Sequence, residues 1–224
     1  LGADHPETAR LQNNLALLYE SQGRFDFAEP LYESAIASLT NLYGGDSIEV
    51  VKLRNNLAFL QFMDENFEAA RAGFESVIGD WIDLATVDHP ERLKSMSNLG
   101  RVLLKQGELE QAEQQLLEVL ALREAKLGAD HLDVIRSRID VGLVYVAQTR
   151  FDEAASQLSS VLTQSEGTLG AEHPYTFDAL NGLAMALKGR GDAAEAIELQ
   201  RRGFLRRTRF LDRVLWVTLS LIHI

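Results

Sequence analysis

The chain has 224 residues, 46% apolar and 25% charged, which is ample for a buried core and too apolar for a disordered polymer. Its net charge of −11 is uneven: residues 201–224 hold six Arg against one Asp, a surplus of five that leaves −16 on residues 1–200. A body so acidic argues against nucleic acid and anionic membrane as partners, and the lack of cysteine excludes disulfides and thiolate chemistry and fits a reducing, cytoplasmic setting.

The chain opens on "LGADHPET", with neither an initiator Met nor a signal-peptide pattern, so a fragment of a longer protein is expected. "GADHPET" at 2–8 returns as "GGDSIEV" at 44, "TVDHPER" at 86, "GADHLDV" at 128 and "GAEHPYT" at 170, a period of 42 without insertion. Five units follow, about 1–42, 43–84, 85–126, 127–168 and 169–207, with an atypical tail at 208–224.

Each unit reads as two helices. Helix A starts at Pro6, Pro90 and Pro174, where a missing N–H costs nothing, with an acidic residue close by to suit the helix dipole. It stops near Gly23, Gly107 and Gly191, suited to a left-handed cap, whereas Glu65 and Thr149 stand at that place in the second and fourth units. Helix B begins around Phe25, Phe67, Leu109, Phe151 and Ala193, and Pro30 is expected in the first turn or so, with no helical bond lost. Large Leu15, Leu57, Leu99, Val141 and Leu183 align and are followed by small Ala16, Ala58, Gly100, Gly142 and Ala184. Helix B carries alanine at 28, 70, 112, 154 and 196. Small residues at one point of each helix let two axes approach closely, and a lone pair cannot bury such stripes, so neighbouring units must stack.

"L15-A16-x-x-Y19 … A28-x-x-x-Y32" and "V141-G142-x-x-Y145 … A154-x-x-x-L158" resemble the tetratricopeptide repeat (TPR) signature. The 42-residue period, with "LQNNLALLYESQGRFDFAEPLY", resembles the longer repeat of kinesin light chains and their bacterial relatives across residues 1 to about 207. Two departures stand out: the first-helix Trp is replaced by Gln12, Arg54, Met96, Arg138 and Leu180, and the fifth unit carries Gln200 where an aromatic is usual. The resemblance implies an all-α fold, a right-handed superhelical array of five TPR helix pairs, that is, an α-solenoid.

At about 100° per residue, positions 11, 18 and 19 fall within about 60° of Leu15 and form the core stripe, while 10, 13, 14 and 17 fall on the opposite side. In a TPR superhelix that side lines the concave groove. Read down the units, it carries Arg10, Lys52, Lys94, Arg136 and Asp178, then Asn13, Asn55, Ser97, Ile139 and Asn181. A third row runs Asn14, Asn56, Asn98, Asp140 and Gly182, and a fourth Leu17, Phe59, Arg101, Leu143 and Met185. Asparagine is a mediocre helix former. Its amide, however, can donate to and accept from the backbone of an extended peptide without reading its sequence. The cations add a preference for acidic side chains, and Leu17, Phe59 and Leu143 offer apolar pockets. The family resemblance implies peptide clasping by Asn14, Asn56 and Asn98, with Asp140 and Gly182 breaking the row. The same rows also suit a solvated face inherited by duplication.

Other constellations carry less. His5, His89, His131 and His173 recur at one frame position, but whole helix pairs separate them, too far for one zinc centre. They read as starting residues of helix A. No GxSxG, HExxH, phosphate-loop or dinucleotide pattern occurs. "KGRGD" at 188–192 reads as the turn between helices, Glu108, Glu110, Glu195 and Glu198 as solvated, and Trp81 as packing between units. "VLWVTLSLIHI" at 214–224 is too short to span a membrane. The final "LSLIHI" resembles a translated transposon end used in sequencing libraries and is expected to be artefact that contributes nothing to the fold.

The expected function is a non-catalytic protein–protein interaction scaffold that binds an extended acidic peptide or partner segment, with no cofactor, metal, nucleic acid or membrane. The alternative, from the bacterial resemblance, is the regulatory arm of a larger signalling enzyme whose kinase, nucleotide-switch or caspase-like domain lies elsewhere.

Overall fold

The computed structural model describes residues 5–84 and 87–206. Helices A are α1 (Pro6–Ser21), α3 (Ile48–Met63), α5 (Pro90–Gln106), α7 (Leu132–Ala147) and α9 (Pro174–Arg190). Helices B are α2 (Phe25–Tyr43), α4 (Phe67–Leu84), α6 (Leu109–Leu127), α8 (Phe151–Thr168) and α10, residues 193–206. No strand occurs among the described residues. The tail at 208–224, including the final six residues, lies outside them.

The helix ends follow local chemistry. The histidines cap helix A: Nδ1 of His5, His89, His131 and His173 accepts a bond from the backbone N–H two residues on, at 3.1, 3.3, 3.1 and 3.2 Å. Ser47 does the same work for α3, accepting from the Val50 N–H at 3.4 Å. Gly23, Gly107 and Gly191 take left-handed φ of 69°, 82° and 104°, and Glu65 and Thr149 are drawn into the same region at 60° and 61° although they carry a Cβ. Pro30 departs from expectation. It is the sixth residue of α2, beyond the orphan donors of the first turn, so the carbonyl of Asp26 loses its helical partner.

The chain falls into two compact units, 1–115 and 116–224, dividing within α6. In the first, α1 packs on α2, α2 on α3, α3 on α4 and α4 on α5; in the second, α7 packs on α8 and α8 on α9, with α7 also touching α9. Within each unit chain neighbours pack in sequence, the arrangement of an all-α solenoid of helix pairs. Ala16, Ala28, Ala58, Ala70, Ala154 and Ala184 are buried at the helix crossings. Gly142 shows why they are small, because a Cβ there would stand 2.6 Å from Cγ of Leu158. Trp81 is buried at the end of α4 and stacks on His89, ring centroids 4.6 Å apart, as packing between successive units requires.

Two expectations change. The core stripe holds in the later helices A, but in α1 Leu11, Leu15 and Leu18 are exposed, since no helix B precedes α1 among the described residues to cover them. Glu108 is not merely solvated: its Oε1 accepts from Arg71 of α4 at 2.5 Å.

Candidate functional site

Three of the expected residues meet in one place. Arg10 and Asn13 of α1 and Lys52 of α3 line an open cleft of about 820 Å³ in the first unit, together with Leu39 and Tyr43 from the end of α2, Leu53 of α3, and Glu7 and Glu49. The 42-residue frame brings them together: it sets Arg10 and Lys52 at the same turn of adjacent helices A, and helix B delivers Tyr43 beside them where α2 ends.

The cations differ in how far they are engaged. Arg10 pairs with Glu7 at 2.5 Å and Lys94 with Glu91 at 3.9 Å, each one turn back on its own helix and well exposed. Exposed pairs of this kind contribute about 0–1 kcal/mol, so both cations can be drawn to another carboxylate at small cost. Lys52 is exposed and forms no ion pair among the described residues. Arg136, in the second unit, is different. Its guanidinium lies 3.4 Å from Asp140, 4.0 Å from Asp178 and 4.9 Å from the centroid of the Tyr175 ring. Burial presses its pKa down, yet Asp140, Tyr175 and Asp178 hold it above the ordinary arginine value. The expected row of four equivalent cations is therefore three on the first unit plus one neutralised within the second.

The asparagines also depart from the expected outward row. Asn55 is only 3% exposed, and its Oδ1 accepts from Ser95 Oγ of α5 at 2.8 Å. Asn56 Nδ2 donates to Asn13 Oδ1 of α1 at 3.1 Å, and Asn13 Nδ2 approaches Asn14 Oδ1 at 3.4 Å. Asn98 is buried as well, which leaves Asn14 as the exposed member of the group. The physical reason for Asn55 and Asn56 is a third neighbour: besides helices B, α1 meets α3 and α3 meets α5, and the amides of Asn13, Asn55 and Asn56 bridge those seams. Of the fourth row, Leu17 is exposed, Phe59 is half-buried with its ring 6.2 Å from that of Phe62, and Arg101 lies over the Phe62 ring at 5.0 Å.

Sequence reasoning missed Tyr43, Leu39 and Leu53 as cleft walls. Leu39 and Leu53 read as core, and Tyr43 sits at the repeat boundary, where the other units carry Ala85, Leu127 and Leu169 and offer no common signal.

The family model described as tetratricopeptide repeat matches residues 7–79, 49–125, 91–166 and 141–204. No curated protein matches the chain. Among solved structures, a Podosopora anserina protein with kinesin light chain nearly identical TPR-like repeats is 25% identical at a TM-score of 0.72, over 92% of this chain and 98% of that one. BtubC (BKLC) from P. vanneervenii is 19% identical at 0.74, over 92% and 82%. PlcR of Bacillus thuringiensis, in complex with the peptide PapR7 and DNA, is 11% identical at 0.68, over 95% and 74%. No helix among the described residues is long and apolar enough to cross a membrane. From the span of the family match and the fold it shares with these neighbours, the chain belongs to the tetratricopeptide repeat family, with repeats of the kinesin-light-chain-like kind.

Proposed function

We propose that the protein is a non-catalytic scaffold that binds an extended acidic peptide across helices A of its first unit. TPR modules serve protein–protein interaction, and the PlcR neighbour holds a peptide, which supports a peptide as ligand class. The observation that carries the reading is the cleft: unpaired Lys52 and weakly held Arg10 stand beside apolar Leu39, Tyr43 and Leu53. In a chain of net charge −11, the row Arg10, Lys52 and Lys94 offers an acidic segment cations to pair with, although Glu7 and Glu49 share the cleft with Arg10 and Lys52. Leu39 and Tyr43 supply an apolar anchor site, Lys52 and Arg10 take carboxylates, and exposed Asn14 and half-buried Asn13 are placed to meet peptide backbone groups. Lys94, Leu17, Phe59 and Arg101 extend the same face; Asn55 and Asn56 support it from the seam, and Asn98 is buried behind it. Arg136 is set aside, its charge already met by Asp140 and Asp178.

The test is an acidic peptide library screened by fluorescence polarisation. The reading expects hits whose affinity falls as salt rises, because exposed charges are screened over ~8–10 Å at physiological ionic strength. It also expects those hits to be lost in the double variant Lys52→Glu, Lys94→Glu, which keeps its circular dichroism spectrum. Acidic hits that bind the double variant as tightly as the wild type would sink it.

A further inference from the structure

The α1–α3 and α3–α5 joints of the first unit share one frame but differ in what fills them. One period on from Leu39 and Ser47 of the cleft stand Trp81 and His89. Trp81 is buried, and its indole stacks on the His89 imidazole with centroids 4.6 Å apart and ring planes 18° from parallel. Asn55 and Ser95, the counterparts of Asn13 and Leu53, are both buried and hydrogen-bonded to each other at 2.8 Å. The α3–α5 joint is closed by its own side chains.

At the α1–α3 joint the places of the two rings hold an aliphatic side chain and a hydroxymethyl group. The ring pair is missing, and both residues that replace it line the open cleft of about 820 Å³. Asn13, unlike Asn55, is only half-buried. The walls come from α1, α2 and α3, and the exposed Leu11, Leu15 and Leu18 of α1 are not among them. The opening therefore belongs to the side of α1 that faces α3, where residues 39 and 47 stand.

We infer that Leu39 and Ser47 are specificity-determining residues of the peptide site: they omit the ring plug that closes the α3–α5 joint, and the apolar anchor of the acidic peptide enters in its place. The inference rests on the peptide-binding reading proposed above and adds why the anchor enters at this joint. Cations alone do not decide it, since Lys52 and Lys94 stand to the α3–α5 joint as Arg10 and Lys52 stand to the α1–α3 joint. An apolar side chain gains from burial only where the protein leaves it room. The plug can also be restored without removing a cation or a helix cap. Ser47 caps α3, and histidine does that work at the same frame position in α1, α5, α7 and α9.

The experiment is fluorescence polarisation with acidic peptides that bind the wild type, repeated on Ser47→His and on the double variant Leu39→Trp, Ser47→His. Arg10 and Lys52 remain in both, and circular dichroism with urea denaturation verifies the fold. The double variant should bind about tenfold or more weakly, the loss expected when one buried anchor is excluded. Ser47→His alone should weaken binding by a smaller factor in the same direction, and it carries the test should the double variant fail to fold. Peptides that are lost in Lys52→Glu, Lys94→Glu, yet bind the folded plugged variants as tightly as the wild type, would overturn this inference and leave the peptide-binding reading standing. Peptides indifferent to the charge reversal, or a library without a hit, would sink that reading and the inference with it.

Discussion

Replacing Asn55 by Ala separates the seam role of the asparagines from a purely external one. Asn55 is buried, and its Oδ1 accepts from Ser95 Oγ at 2.8 Å. Removing it deletes a hydrogen bond with a net value of about 0.5–1.5 kcal/mol. It also opens a small void against α5, which adds about 1 kcal/mol. Against these stands a gain of about 0.7 kcal/mol in helix propensity. Ser95 is not orphaned, since its one hydroxyl proton can turn to the Glu91 carbonyl, 3.0 Å away. The net expectation is a loss of about 1–2 kcal/mol, read in urea denaturation as a lowered midpoint with the slope unchanged. Asn14→Ala, at an exposed position, should be neutral or stabilising by about 0.5 kcal/mol. A double-mutant cycle with Ser95→Ala should return a coupling of about 1 kcal/mol. If Asn55→Ala is as stable as the wild type while Asn14→Ala is not, the seam assignment is wrong.

Further substitutions probe the repeat geometry. Gly142→Ala forces a Cβ to within 2.6 Å of Leu158 Cγ and should cost about 1–3 kcal/mol by denaturation, although alanine is the residue at this frame position in three other units. Ala112→Leu, at a fully buried position of α6, should cost about 1–3 kcal/mol or more by overpacking. Thr149→Gly should raise the denaturation midpoint by the equivalent of about 0.5–1 kcal/mol, because a β-branched residue is held at φ 61°. His173→Ala should lose the Tyr175 N–H cap and about 1 kcal/mol, while His173→Asn should recover most of it in the same assay.

Much of the fold is legible because the repeat writes its boundaries in residues with narrow physical uses. Proline sits at the first position of α1, α5 and α9, and glycine follows the ends of the same helices. The frame aligns Glu65 and Thr149 with those glycines as stop positions, but their left-handed φ of 60° and 61° is not legible in residues that lack glycine's freedom. Exposure is less legible, since it depends on a neighbour as well as a pattern. Leu15 and Leu183 share one frame position, yet α8 covers one and no described helix covers the other. The asparagines were misjudged because a helical wheel divides a helix into inside and outside, whereas a solenoid helix A has its own helix B, the preceding helix B and the next helix A around it. The same limit hid Arg123, aligned with Leu39 and Trp81: it is only 6% exposed, and its Nη1 donates to Ser137 Oγ at 2.7 Å. Burial pushes its pKa below the ordinary arginine value even with Asp133 and Asp140 near.

The site was partly legible. Charge and period put Arg10, Lys52 and Lys94 in one row, but only packing shows that Arg136 is already neutralised. The apolar wall of Leu39 and Tyr43 comes from the end of helix B, which a reading confined to helix A could not find.

The central claim, that the first unit receives an acidic peptide at the Arg10–Lys52 cleft, is tested most directly by photo-cross-linking. An acidic peptide from the library screen would carry a photoreactive group at its apolar anchor, and mass spectrometry would map the attachment. The account predicts cross-links concentrated at Leu39, Tyr43 and Leu53, suppressed by high salt and by Lys52→Glu. Cross-links that fall on α7–α9, or that persist at full strength in Lys52→Glu, would contradict it.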